Sequence, residues 1–171
     1  MQKMIKKLIL CLETNSNADT DYQYVKATID FFYNTGTKNV IRPVYMESKT
    51  RYREKKVLQS IANEQKGFDD VHVIYCIDTD EYASNPDAIN QLAVIRDFCD
   101  EHSYDFVFFC RDVEEVYWGN RVIVHDKIAK AARFKRQEII RSVDESKLRR
   151  EQYSIQASNI LLVLDKYLPR K

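Results

Sequence analysis

The chain reads as an α/β domain built on a parallel sheet. Four short runs of apolar and β-branched residues alternate with amphipathic segments of helical period, and the connections are long enough for crossovers. Acids follow several of the strand-like runs directly. The expected architecture is a Rossmann-like, four-stranded parallel sheet with helices on both faces over residues 1–112, and a C-terminal helical extension over 113–171 packed on it.

The first strand is 8–12, a continuous apolar run closed by Glu13. A polar loop over 14–19 then offers Asp19 or Thr20 as a helix cap. Val25, Ile29 and Phe32 recur at helical spacing, Ala27 and Phe31 widen the stripe, and Gly36 is placed to stop the helix. The second strand, 40–46, contains Pro43, which removes a backbone donor and so predicts an edge. A cation-rich loop over 47–56 runs into a second helix with Val57, Leu58, Ile61 and Ala62 inward, ending near Gly67.

The third strand, 71–77, is apolar almost throughout, as a strand buried on both faces would be. Asn85 as cap and Pro86 at the first position start a third helix, with Ile89, Leu92, Ile95, Phe98 and Cys99 inward. The fourth strand, 106–110, is followed by Arg111 and Asp112. Beyond it the pattern predicts a short helix over 113–118 bearing Glu114 and Glu115, and a long basic helix over 121–143. An apolar segment over 158–168, stopped by Pro169, comes last.

Composition bounds the function classes. The 171 residues are 44% hydrophobic and 31% charged, the balance of a soluble folded domain rather than a disordered chain. No apolar run approaches the roughly 20 residues of a membrane span. The basic N-terminus shows no cleavage-site pattern, so a cytoplasmic location is expected. Cys11, Cys76, Cys99 and Cys110 form no CxxC pair and no zinc-type spacing with His72, His102 or His125; reduced core cysteines are expected.

The acids carry the chemistry. In a parallel sheet, ligands bind outside the carboxyl ends of the strands. Glu13 follows the first strand, Asp78 and Asp80 the third, and Asp112 the fourth after one residue. Converging carboxylates repel one another unless a cation sits among them, and Mg²⁺ is held by one or two carboxylates with water and phosphate oxygens. Such an ion, Mg²⁺ or Mn²⁺, serves phosphodiester cleavage. Alternation puts Asp78 and Asp80 on one side, so Glu13, Asp78, Asp80 and Asp112 form the expected metal set. The competing reading is that acids after strands simply cap the next helix.

Lys49, Arg51, Arg53 and Lys55 follow the second strand and are the candidate phosphate ligands, with Tyr52 available to stack on a base. A solvated helix start is the alternative. The basic residues from Lys127 to Arg150 are interleaved with acids and read as a solvated face, with a partner or nucleic-acid surface as the alternative.

The runs Leu-Ile-Leu-Cys-Leu-Glu13 and Ile-Tyr-Cys-Ile-Asp78-Thr79-Asp80 resemble the TOPRIM domain of topoisomerases, primases and several nucleases. That family has a glutamate after its first strand and an Asp-x-Asp after its third. Within it the chain is similar to small RloB-type proteins of prokaryotic defence loci, through Thr20-Asp21-Tyr22-Gln23-Tyr24 and Ser158-Asn159-Ile160-Leu161-Leu162. Thr14 stands where the family usually has glycine. The resemblance implies Glu13 as an acid/base or metal-linked carboxylate and Asp78 and Asp80 as ligands of Mg²⁺ or Mn²⁺. It further implies a nuclease acting on DNA or RNA in antiphage defence, beside an ATPase partner. Two other readings stay open: a nucleotide-sugar transferase using the Asp-x-Asp, and a degenerate TOPRIM fold kept for binding.

Overall fold

A four-stranded, all-parallel sheet forms the middle layer of the computed structural model, which describes residues 5–171. The first residues of the basic N-terminal stretch, 1–4, lie outside the described residues. The strands are β1 (Lys6–Leu12), β2 (Asn39–Tyr45), β3 (Asp70–Asp78) and β4 (Asp105–Phe109), in spatial order β2-β1-β3-β4. Pro43 lies in β2, an edge strand paired with β1, as its missing N–H requires.

β1 is apolar at successive residues because both of its sides are covered. Leu8, Leu10 and Leu12 join one core, and Ile9 and Cys11 the other. The first face carries α1 (Thr20–Phe32), which links β1 to β2. The second face carries α2 (Lys55–Gln65) and α3 (Pro86–Glu101), which lead to β3 and β4. This split follows from handedness. The chain leaves β1 toward one edge and later returns across it toward the other, and right-handed crossovers in opposite directions put their helices on opposite faces.

Residues 113–171 share the core of the sheet. α4 (Val113–Trp118), α5 (Lys127–Arg136) and α6 (Ile160–Leu164) complete the layer begun by α1, with Val116, Tyr117, Phe134, Leu161 and Leu164 packed among Leu10, Tyr24 and Val107. The outer edge of β4 is closed by the segment before α6. Cys110 N–H donates to the Ala157 carbonyl at 2.9 Å. The Asn159 side chain accepts from Phe108 N–H and donates to the Phe106 carbonyl, each at 2.9 Å. An amide side chain thus substitutes for a neighbouring strand on an edge that would otherwise be open to pairing.

Several local expectations are corrected. The basic helix expected over 121–143 is broken: α5 stops at Arg136, Glu138 is left-handed at φ 49°, and Ile139–Ser142 is a separate tight turn. α1 ends at Phe32, before Gly36, because Tyr33 turns extended and buries its ring, its hydroxyl donating to Asp165 at 2.7 Å. Leu58 and Ile89 are 38% and 39% exposed, and Ala62 is exposed too. α2 and α3 form a single outer layer on the sheet, so only a narrow stripe of each is covered: Val57 and Ile61 on one, Leu92, Ile95 and Cys99 on the other. All four cysteines are buried and unpaired. Among the described residues, no helix is long and apolar enough to cross a membrane.

Candidate functional site

The connections leaving β1 and β3 depart to opposite faces, into α1 and toward α3. Neighbouring strands with divergent exits leave a crevice between their carboxyl ends, and that is where open α/β sheets bind ligands. Leu12 pairs in register with Cys76, so Glu13 arrives beside the last residues of β3. Its Oε2 accepts a hydrogen bond from the Asp78 N–H at 2.5 Å. Asp78 Oδ1 in turn accepts from the Val113 N–H at 3.1 Å, which ties β3 to the start of α4.

Three further acids are brought to the same crevice. Asp21, on the first turn of α1, is 6% exposed, and Glu114, on the first turn of α4, is 1% exposed. Asp112 caps α4, accepting from the Glu115 N–H at 2.8 Å. Two ammonium groups oppose them. Lys49 Nζ donates to the Asp78 carbonyl at 2.7 Å and to the Asp80 carboxylate, and lies 3.9 Å from Glu13 Oε1. Lys127 Nζ donates to Glu114 Oε2 at 3.1 Å and to Asp112 Oδ2 at 3.4 Å.

Six carboxylates (Glu13, Asp21, Asp78, Asp80, Asp112, Glu114) against two lysines leave an excess of negative charge, and protonation is displaced accordingly. Burial pushes the Glu13 carboxyl up to about 7, against the pull of Lys49 and the Asp78 N–H. Asp78 is raised well above the ordinary carboxylate range by burial first, then by Glu13 and Asp21. Asp21 is raised well above it by burial and then by Glu114 and Glu13. Glu114 is raised by burial while Lys127 draws it back.

The expected site residues therefore divide. Glu13 and Asp78 come together. Asp80 does not share a side with Asp78: it lies past the strand end, is left-handed at φ 49°, and turns a 58% exposed carboxylate toward Lys49. Strand alternation applies only while the backbone stays extended. Asp112 serves as a helix cap and as a partner of Lys127.

The expected phosphate ligands also separate. Lys49 points inward, 7% exposed, as a counterion to the acids. Arg51 pairs with Glu47 at 2.9 Å, Arg53 lies over the Tyr52 ring, and Lys55 is an exposed residue opening α2. Tyr52 is no base platform: it is 8% exposed and packs edge-on against Phe98. Asp21 and Glu114, which the sequence named without giving them a place in the site, and Lys127 are the members that the structure adds. Acids on first helical turns look like ordinary dipole partners, and Lys127 stood in a run that read as solvated.

Among the described residues, no three acidic, histidine or cysteine side chains stand close enough to form a ready-made metal cage. The donor chemistry nevertheless fits a hard divalent cation. Every candidate donor is oxygen, negative charge is in excess, and Thr14 Oγ1 beside Glu13 is buried without a partner among the described residues. Mg²⁺ keeps most of its waters and takes one or two carboxylates, and Glu13 and Asp78 are the two that stand at the adjoining ends of β1 and β3. No family model matches the chain, and no curated protein or solved structure matches it either.

Proposed function

We propose that the chain is a Mg²⁺- or Mn²⁺-dependent nuclease of TOPRIM type that cleaves phosphodiesters in DNA or RNA. The supporting observation is the pairing of Glu13 with Asp78 at the switch point of the sheet, inside a crevice where carboxylates outnumber cations. The TOPRIM resemblance adds the RloB-type context: a cytoplasmic protein of antiphage defence working beside an ATPase partner.

Glu13 and Asp78 would hold the ion, which when bound supplies Lewis-acid polarisation of the phosphodiester. Glu13, lying beside the ion, would have a carboxylate oxygen placed to take a proton from an attacking water and to return one to the leaving oxygen. Asp21 and Glu114 stand behind the pair, raised by burial, and would ionise beside a bound cation, adding to its attraction. Lys49 and Lys127 limit that charge and orient the carboxylates they touch. Arg53 and Lys55, exposed along the same strand-end edge, are left to meet the polyanion.

The test is incubation of wild type and Asp78→Asn with plasmid, single-stranded DNA and tRNA, with and without Mn²⁺. Mn²⁺-dependent cleavage that the variant loses is the expected result. Undiminished cleavage by the variant would sink the assignment. One observation favours a second reading, a TOPRIM fold retained for binding: Lys49 already serves Asp80 and Glu13 as an internal cation. Mn²⁺ titration separates the two, since a binding module of that kind would take up no metal.

A further inference from the structure

Beside the acidic crevice, on the β4 side of Asp80, lies a second cavity of about 310 Å³, within the size range of small-molecule sites. Tyr82 and Ile155 supply apolar walls, and Arg111, Glu115 and Gln156 supply polar groups. Glu115 is only 12% exposed, yet its Oε2 accepts no hydrogen bond among the described residues. The nearest cation, Arg111 Nε, stands 3.6 Å away, beyond hydrogen-bond reach. Arg111 spends Nη2 on Glu81 at 2.9 Å, which leaves further guanidinium donors available. The cavity is thus lined by a carboxylate with one unpartnered, buried oxygen, next to a fork of donors.

The backbone around it is strained. Asp80, Arg111 and Gln156 are all left-handed, at φ 49°, 64° and 56°. Hydrogen bonds hold each of them in place. Asp80 N–H donates to the Arg111 carbonyl at 2.9 Å, and Arg111 N–H donates to Thr79 Oγ1 at 2.8 Å. The Gln156 amide spans Gly119 and Lys147. Left-handed backbone at three non-glycine residues around one cavity persists only where the surroundings over-determine it, and such strain concentrates at ligand sites.

We propose that this cavity is a nucleobase subsite that selects guanine; calling the ligand a nucleotide rests on the phosphodiester reading. Guanine is the base whose edge carries two adjacent donors, N1–H and the N2 amino group, matching a carboxylate, next to the O6 and N7 acceptors that suit an arginine. Adenine and cytosine offer one amino donor each, and uracil a single N–H. The ring would lie between Tyr82 and Ile155, and Asp80 places the cavity one residue from the end of the acidic crevice. The base so held is a neighbour of the cleaved phosphodiester.

Isothermal titration of GMP, AMP, CMP and UMP, each in EDTA, tests this without metal or turnover. GMP is expected to bind about ten-fold more tightly than the others. Glu115→Gln should erase that preference while the circular dichroism spectrum stays unchanged. Ile155→Ser changes a side chain that is 82% exposed, so folding is not at risk, and should weaken GMP several-fold. Equal affinity for the four nucleotides, displacement of GMP by inorganic phosphate at equal concentration, or GMP binding unaltered in both variants would each overturn the proposal. Because no cleavage is measured, guanine selectivity and nuclease activity can each fail while the other stands.

Discussion

Glu13 Oε2 accepts a hydrogen bond from the backbone N–H of Asp78 at 2.5 Å, joining the ends of two adjacent strands across 65 residues of sequence. A backbone donor favours the ionised carboxylate, yet burial outweighs it and holds Glu13 near 7. The fold keeps these acids together at a cost in stability, and four expectations follow from that and from the closure of the sheet.

Asp78→Asn should separate stability from activity. The amide oxygen can still accept from Val113 N–H, while a charge disfavoured by burial is removed. The melting temperature should stay level or rise by about 2–4 °C. Metal-dependent cleavage should fall at least about 100-fold. Thermal melts beside the nuclease assay check both, and a variant that loses stability together with activity would contradict the argument.

Without divalent metal, the protein should become less stable as pH rises from about 4.5 to about 7 and stay low above it. Glu13 binds its proton more tightly folded than unfolded, so the folded state carries more protons in that window and loses stability as they leave. Asp21, Asp78 and Glu114 are raised in the same direction and reinforce the slope. Mn²⁺ at 100 times its dissociation constant should restore about 2.7 kcal/mol at pH 8. Melting curves from pH 5 to 8, with EDTA or Mn²⁺, measure this; a flat profile in EDTA would refute it.

Lys49→Met should destabilise the fold most at alkaline pH. It removes the buried ammonium that meets Asp80, the Asp78 carbonyl and Glu13. Leaving ionised partners uncompensated costs roughly 3–5 kcal/mol. Protonation of the acids relieves that cost, so urea denaturation at pH 8 should show a larger loss than at pH 5.5.

Asn159→Ala should open the edge of β4. Two hydrogen bonds, to Phe108 N–H and the Phe106 carbonyl, vanish together, a loss of roughly 2–3 kcal/mol. The freed strand edge should also promote self-association, visible in size-exclusion chromatography as a concentration-dependent larger species.

The apolar runs of β1 and β3, the edge position of β2 marked by Pro43, and the seating of Glu13 and Asp78 at strand ends were all legible in the amino-acid order. Each depends on periodicity or on the local chemistry of one residue, which a short window contains. The gathering of Asp21 and Glu114 around Asp78 was not legible, because it joins elements far apart in sequence and arises only when α1 and α4 pack on the same face. Nor was the inward turn of Lys49, whose partners lie on β3 and beyond. Asp78-Thr79-Asp80, two acids on one strand end in the sequence, became one half-buried acceptor of the Val113 N–H and one exposed partner of Lys49. The physical reason is a hydrogen bond from Asp80 N–H to the Arg111 carbonyl, which carries the chain into a left-handed turn and ends the alternation that sequence spacing assumes.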